Sequence, residues 1–199
     1  VIQEVSKELA ESFGLEKAAG ALVAQIVPGS PADDADLQNG DIITHFNSKP
    51  IYMSSDLPHQ VGRVKPGSKV VLDVVRNGKR RKVNVTIGTL PDADSAELAL
   101  NNSNPKERSS NRLGLVVADL TPAQRKNVGD GVVVREVLQG TAAQAGLING
   151  DIITMIYGEP VRSVEEFDKV VSGLPAGRSV PMRIVRRGAA MFIPLRIAP

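Results

Sequence analysis

The sequence contains no cysteine and no tryptophan, and its aromatic share is only 3%. The missing thiols exclude disulfides, thiolate metal sites and a cysteine nucleophile. They leave the compartment open, since reducing and oxidising surroundings both tolerate cysteine-free chains. Scarce aromatics mean that the cores must be built from Val, Ile, Leu and Ala, and modest stability is expected of each half alone. An excess of one charge is lacking too: 24 basic residues face 22 acidic ones, a net +2. No strong global field points to a nucleic-acid partner. Two basic clusters, Lys79-Arg80-Arg81-Lys82 and Arg183 to Arg187, read better as solvated hairpin faces than as anion sites. No apolar run approaches the roughly 20 residues of a membrane span, so direct insertion is not expected. No signal peptide opens the chain, which begins Val1-Ile2 and fits a stretch cut from a longer protein.

Catalytic patterns are also missing. The only histidines, His45 and His59, fall in an expected strand and an expected helix. No G-x-S-x-G or Gly-Asn-Ser-Gly string accompanies them to make a nucleophile, base and orienting carboxylate. There is no H-E-x-x-H metal motif and no phosphate-binding Gly-x-x-x-x-Gly-Lys. The turns Asn39 to Asp41 and Asn149 to Asp151 carry one carboxylate each, too few for calcium. The sequence therefore leads us to expect no catalytic residues, no metal, no cofactor and no enzymatic activity of this stretch itself.

What is present is a tandem repeat. The 199 residues suit two small domains, and 42% hydrophobic with 23% charged residues is ordinary for a globular chain. Leu37 to Thr44 reads L-Q-N-G-D-I-I-T and Leu147 to Thr154 reads L-I-N-G-D-I-I-T, at an offset of 110 (Asn39 against Asn149). The same offset aligns Pro50 with Pro160, Leu57 with Phe167, Val61 with Val171, Arg76 with Arg186 and Gly78 with Gly188. A repeat of that size is a domain, not a solenoid unit. The expected division is a first domain over 1–90, a linker over 91–111 rich in Asn, Ser, Asp and Pro, and a second domain over 112–199. A helical turn over Ala96 to Leu100 is compatible with the linker sequence.

Each repeat parses alike. An apolar strand comes first, Val1 to Val5 or Leu115 to Leu120. A short helix follows, capped by Ser6 or by Thr121 with Pro122 at its first position. Strands over Ala21 to Val27 and Val132 to Leu138 precede short helices near Ala32 to Ala35 and Ala142 to Ala145. Further strands, Asp41 to Asn47 and Asp151 to Tyr157, are entered through Asn-Gly turns. A longer helix begins at Ser163 with S-x-x-E capping-box spacing and places Val164, Phe167, Val171 and Leu174 at helical intervals. Its counterpart runs from about Ser55 to Val64. Hairpins turning at Asn77-Gly78 and Arg187-Gly188 close the repeats. The expected fold is mostly β with short helices (α+β): two small, partly open β-barrels of five to six strands, each capped by helices.

The strings G-S-P-A-x-x-A-x-L-x-x-G-D-I-I from Gly29 to Ile43 and G-T-A-A-x-A-G-L-x-x-G-D-I-I from Gly140 to Ile153 resemble the PDZ domains of bacterial HtrA-type serine proteases. The order of elements is similar to their circularly permuted PDZ arrangement, and two modules in series resemble the C-terminal half of the DegP/MucD-type endoproteases. The resemblance covers the whole chain. It departs at Asp36, where the second copy has Gly146 and the family usually has glycine; this reads as a local turn change.

PDZ domains bind an extended peptide by strand addition and hold its terminal carboxylate in a loop of backbone N–H groups. By resemblance, Arg112, Leu113, Gly114 and Leu115 form that loop, Val116 and Val117 belong to the receiving strand, and Phe167, Val170 and Val171 line the opposite helical wall. In the first copy Val1, Ile2, Leu57 and Val61 match the groove walls, while the residues matching Leu113-Gly114 would precede the chain, which puts carboxylate capture there in doubt. The same side chains also suit a plain core. The implied function is the regulatory, substrate-binding region of a periplasmic HtrA-type endoprotease in protein quality control and stress response. It would bind hydrophobic C-terminal or unfolded segments and work with the protease domain of its own parent chain. Alternatives are the periplasmic PDZ pair of an intramembrane metalloprotease, or a non-enzymatic scaffold. Oligomeric state is open: a monomer is compatible with this stretch, and a homo-oligomer is expected of the parent.

Overall fold

The computed structural model describes residues 1–88 and 111–198. The expected linker, apart from Asn111, and the suggested turn at Ala96 to Leu100 lie outside the described residues. Those residues form two compact units, one on each side of that stretch.

The first unit contains strands β1 (Ile2–Glu4), β2 (Ala21–Val23), β3 (Ile42–Phe46), β4 (Lys49–Pro50), β5 (Lys69–Arg76) and β6 (Lys79–Thr86). Its helices are α1 (Lys7–Ser12), α2 (Pro31–Asp34) and α3 (Asp56–Val61). The second repeats them as β7 (Leu115–Asp119), α4 (Pro122–Val128), β8 (Val132–Val137), α5 (Thr141–Gln144), β9 (Ile152–Ile156), β10 (Glu159–Pro160), α6 (Val164–Ser172), β11 (Ser179–Arg186) and β12 (Ala189–Arg196). Each unit is one antiparallel sheet, in the orders β1-β2-β3-β5-β6 and β12-β11-β9-β8-β7, with β4 and β10 attached to β3 and β9. The sheets are open rather than closed into barrels, so β1 and β7 are edge strands.

Local chemistry explains the boundaries. Ser6 accepts from Leu9 N–H and starts α1. Thr121 forms a full capping box with Gln124 at α4. Ser163 accepts from Glu166 N–H at 3.3 Å, but the Glu166 carboxylate turns to Arg162 N–H at 3.0 Å, so only half of the expected box forms. Asn77 and Gly78, like Arg187 and Gly188, all have positive φ, the geometry of a tight turn matching the twist of a hairpin. Gly131 sits where a Cβ would come 2.8 Å from Ile153 O, so a side chain there would push β9 away. Asp36 has φ 59 where Gly146 has φ 80: the same left-handed turn, made by different residues.

A main core in each unit fills the space between sheet and helices, and in the second unit Ala118, Leu120, Val133, Ile152, Val185 and Ala190 form a separate, smaller cluster. The main core of the second unit includes Leu113, Leu115, Val117, Ile153, Ile156, Phe167, Val171 and Ile184. That of the first includes Ala21, Ile43, Phe46, Leu57, Leu72 and Val83.

The repeated Gly-Asp pair turns out to be structural. Asp41 and Asp151 are almost wholly buried, and each forms a two-pronged ion pair, Asp41 with Arg76 and Asp151 with Arg186, with N···O distances of 2.7–2.8 Å. Each carboxylate also accepts a backbone N–H, from Gln38 or Ile148. Arg76 and Arg186 reach the carbonyls of Asp36 and Gly146 as well, pinning the turn before each Asn-Gly. The hydrogen bonds to the buried carboxylates hold both guanidinium groups above their ordinary pKa. The second basic cluster is therefore partly internal. Arg183 donates to Thr154 Oγ1, and burial lowers its pKa.

Candidate peptide-binding site

The edge strands define the site. In the second unit Val134 N–H donates to Asp151 O, and Val134 O accepts from Gly150 N–H, so both of its backbone bonds face β9. Its cross-strand partner is Val117. Antiparallel alternation therefore turns the N–H and C=O of Val117 outward, where no further strand pairs among the described residues. The first unit repeats this arrangement: Val23 bonds Asp41 O and Gly40 N–H, and its partner Ile2 faces outward.

A helix stands beside each edge and is tied to it by an acidic residue at the strand's end. Asp119 Oδ1 accepts Val164 N–H at 2.9 Å, at the start of α6. Glu4 Oε2 accepts both the N–H and the hydroxyl of Ser54, just ahead of α3, at 2.9 and 2.6 Å. The ties are equivalent in the fold, although their sequences give no matching motif.

At the other end of β7 lies a concave run of backbone N–H groups, Leu113 to Leu115. Gly114 has φ 74, and a Cβ there would meet Gln139 O at 3.2 Å. Its carbonyl accepts Leu138 N–H at 2.8 Å, and Leu113 O accepts Ala142 N–H at 3.1 Å. Gly114 is thus needed both for its dihedral and for close packing of the loop on residues 138–140. The N–H groups on the inner side are met by Asn111, which the sequence reading missed. An N-x-x-G turn signal was its only mark.

The side chains expected to line an open trough lie deeper than the sequence reading supposed. Leu113, Leu115, Val117, Phe167 and Val171 are buried members of the second core. Val116 and Val170 are half-buried, and Arg112 is exposed. In the first unit Leu57 is buried, Ile2 and Val61 pack against the core from its margin, and Val1 is exposed. The rim residues Val116 and Val170 are the more accessible of this set, and Leu138 is an exposed leucine beside the Gly114 loop that sequence gave no reason to choose.

Models of the PDZ domain match residues 4–87 and 103–185. The chain belongs to the PDZ family. Both of its PDZ domains lie within a stretch that aligns, over 100% of this chain, with proteins named "Probable periplasmic serine endoprotease DegP-like". That of Ectopseudomonas mendocina is 52% identical over 200 residues, and that of Pseudomonas fulva 51% identical over 201 residues. This kinship places the PDZ pair in a periplasmic, DegP-like group. The chain spans 42% of the length of these relatives. Among solved structures, an HtrA3 PDZ domain bound to a phage-derived ligand covers 47% of this chain and 86% of its own, at 20% identity and a TM-score of 0.37.

His45 and Asp73 approach to 3.9 Å on the first PDZ domain, remote from its edge strand in the sheet order, and among the described residues no group of three or more His, Asp or Glu side chains could hold a metal. No described helix is long and apolar enough to cross a membrane.

Proposed function

We propose that this chain is the substrate-recognition region of an HtrA-type periplasmic serine endoprotease, and that its PDZ domains bind hydrophobic C-terminal or unfolded segments by adding them as a strand to β7 and β1. The observation that carries this reading is the outward-facing backbone of Val117 beside α6, next to a loop of N–H groups suited to a carboxylate. Unfolded substrates expose both unpaired backbone and apolar side chains, which is what such an edge takes up. Hydrolysis would belong to the protease domain of the parent chain. Kinship along the whole chain with serine endoproteases favours this reading over a metalloprotease partner or a free scaffold.

Affinity should be modest, because a short peptide buries little surface and loses its own freedom on binding. Titrating apolar-ended pentapeptides into isotope-labelled protein should shift the backbone resonances of Leu113 to Val117 and of α6, with saturation. Perturbations confined to other surfaces, or none with any peptide, would remove the groove assignment.

A further inference from the structure

Asn111 occupies the inner side of the carboxylate loop with four hydrogen bonds. Its Oδ1 accepts from Leu113 N–H at 3.0 Å and from Leu115 N–H at 3.4 Å. Its carbonyl accepts from Gly114 N–H at 2.9 Å, and its own N–H donates to Leu115 O at 3.3 Å. One residue thus uses all three N–H groups of the loop, together with the carbonyl at the start of the edge strand. An N–H serves one acceptor well, because the bond weakens steeply away from linearity. A carboxylate placed here would compete with the Asn111 side chain for the Leu113 and Leu115 N–H groups, while the backbone bonds of Asn111 to Gly114 and Leu115 can remain.

We propose that Asn111 is a self-cap: its amide oxygen stands in the place of a ligand carboxylate and must swing out before a peptide C-terminus enters the second PDZ domain. The proposal rests on the peptide-binding reading above and adds a competition to it. Three observations favour a cap over a scaffold. The loop is held from behind by Leu138 N–H on Gly114 O and Ala142 N–H on Leu113 O, bonds that do not involve Asn111. Asn111 is only half-buried, so its amide can be solvated once released. The Leu115 bond is long, and a neutral amide is a weaker acceptor than a carboxylate, so a charged chain end can win the exchange. The capped fraction lowers apparent affinity in proportion to its population.

The test uses the full chain with Asn111→Ala and Asn111→Asp. Binding of labelled pentapeptides ending in Val, Leu, Ile or Phe is measured by fluorescence polarisation, with free or amidated C-termini. Amide exchange at Leu113 and Leu115 is followed by NMR. For Asn111→Ala we expect faster exchange at both amides and about threefold to tenfold tighter binding of free-carboxylate peptides, the factor one hydrogen bond is worth. The amidated peptides should be unmoved. Asn111→Asp, which puts a carboxylate in the cap, should bind free-carboxylate peptides several-fold more weakly. Unchanged or weaker binding by Asn111→Ala, with Asn111→Asp like wild type, makes Asn111 a scaffold and overturns the cap alone. Faster exchange with no peptide bound by any of the three proteins overturns the peptide-binding reading, and the cap with it.

Discussion

At the scale of single residues, the buried carboxylates carry an outsized share of the architecture. Asp41 and Asp151 are 0% and 1% exposed, and both oxygens of each are taken by an arginine and a backbone N–H. Removing such a carboxylate strands a guanidinium and an amide together. Asp151→Ala should destabilise the second PDZ domain by about 3 kcal/mol, lowering its melting midpoint by roughly 10–20 °C. Asp41→Ala should do the same to the first, and more strongly, since the Arg76 side chain is 12% exposed against 28% for Arg186. Separate melts of the variants by calorimetry check this; a change below about 1 kcal/mol would mean the pairs are ornamental. Because both guanidinium pKa values are raised, their contribution is fully present below the unfolded-state pKa and is lost as pH rises through the folded-state pKa. Raising the pH across the neutral range should therefore leave both arginines charged.

At the scale of elements, each edge strand is joined to the helix beside it by a carboxylate tie. Asp119 holds the first N–H of α6, where negative charge is also favoured by the helix dipole. Without the tie, α6 keeps its Ser163 cap and its buried stripe of Val164, Phe167 and Val171, so it remains folded but is free to shift against β7. Asp119→Ala should cost about 1 kcal/mol of stability and weaken peptide binding several-fold. Equal affinity for the variant and the parent sequence in a polarisation titration would show that the tie does not govern the groove. The pairing of β5 with β6 and of β11 with β12 was readable from the turns at Asn77-Gly78 and Arg187-Gly188. The depth of Leu113, Leu115 and Phe167 was not, because a helical or strand periodicity marks an apolar face without saying whether that face is covered by the chain or left for a partner.

At the scale of the whole molecule, the offset of 110 between the two copies of N-G-D-I-I-T corresponds to two independent cores with no shared member. Residues 1–90 and 112–199 are the proposed domain limits. Each, expressed alone, should melt in one cooperative transition. Loss of cooperative unfolding in either piece would show that the halves depend on one another. The copies have also diverged: the returning hairpin strand is Lys79-Arg80-Arg81-Lys82 in one and Ala189-Ala190-Met191-Phe192 in the other. The first is exposed, while Ala190 and Phe192 are buried.

Sequence alone determined the tandem architecture, the element order, the hairpin turns and most helix starts, because each depends on local dihedral preference, capping or hydrophobic period. The family resemblance, rather than any local pattern, pointed to Arg112 to Leu115, where Gly114 turns the backbone. Only the tertiary structure decided which expected groove residues are core, which acid ties helix to strand, and that Asn111 fills the loop. Those facts come from atoms brought together by folding, such as Asp119 against Val164, or from the direction in which an N–H points, and along the chain they leave at most a turn signal such as the N-x-x-G at Asn111.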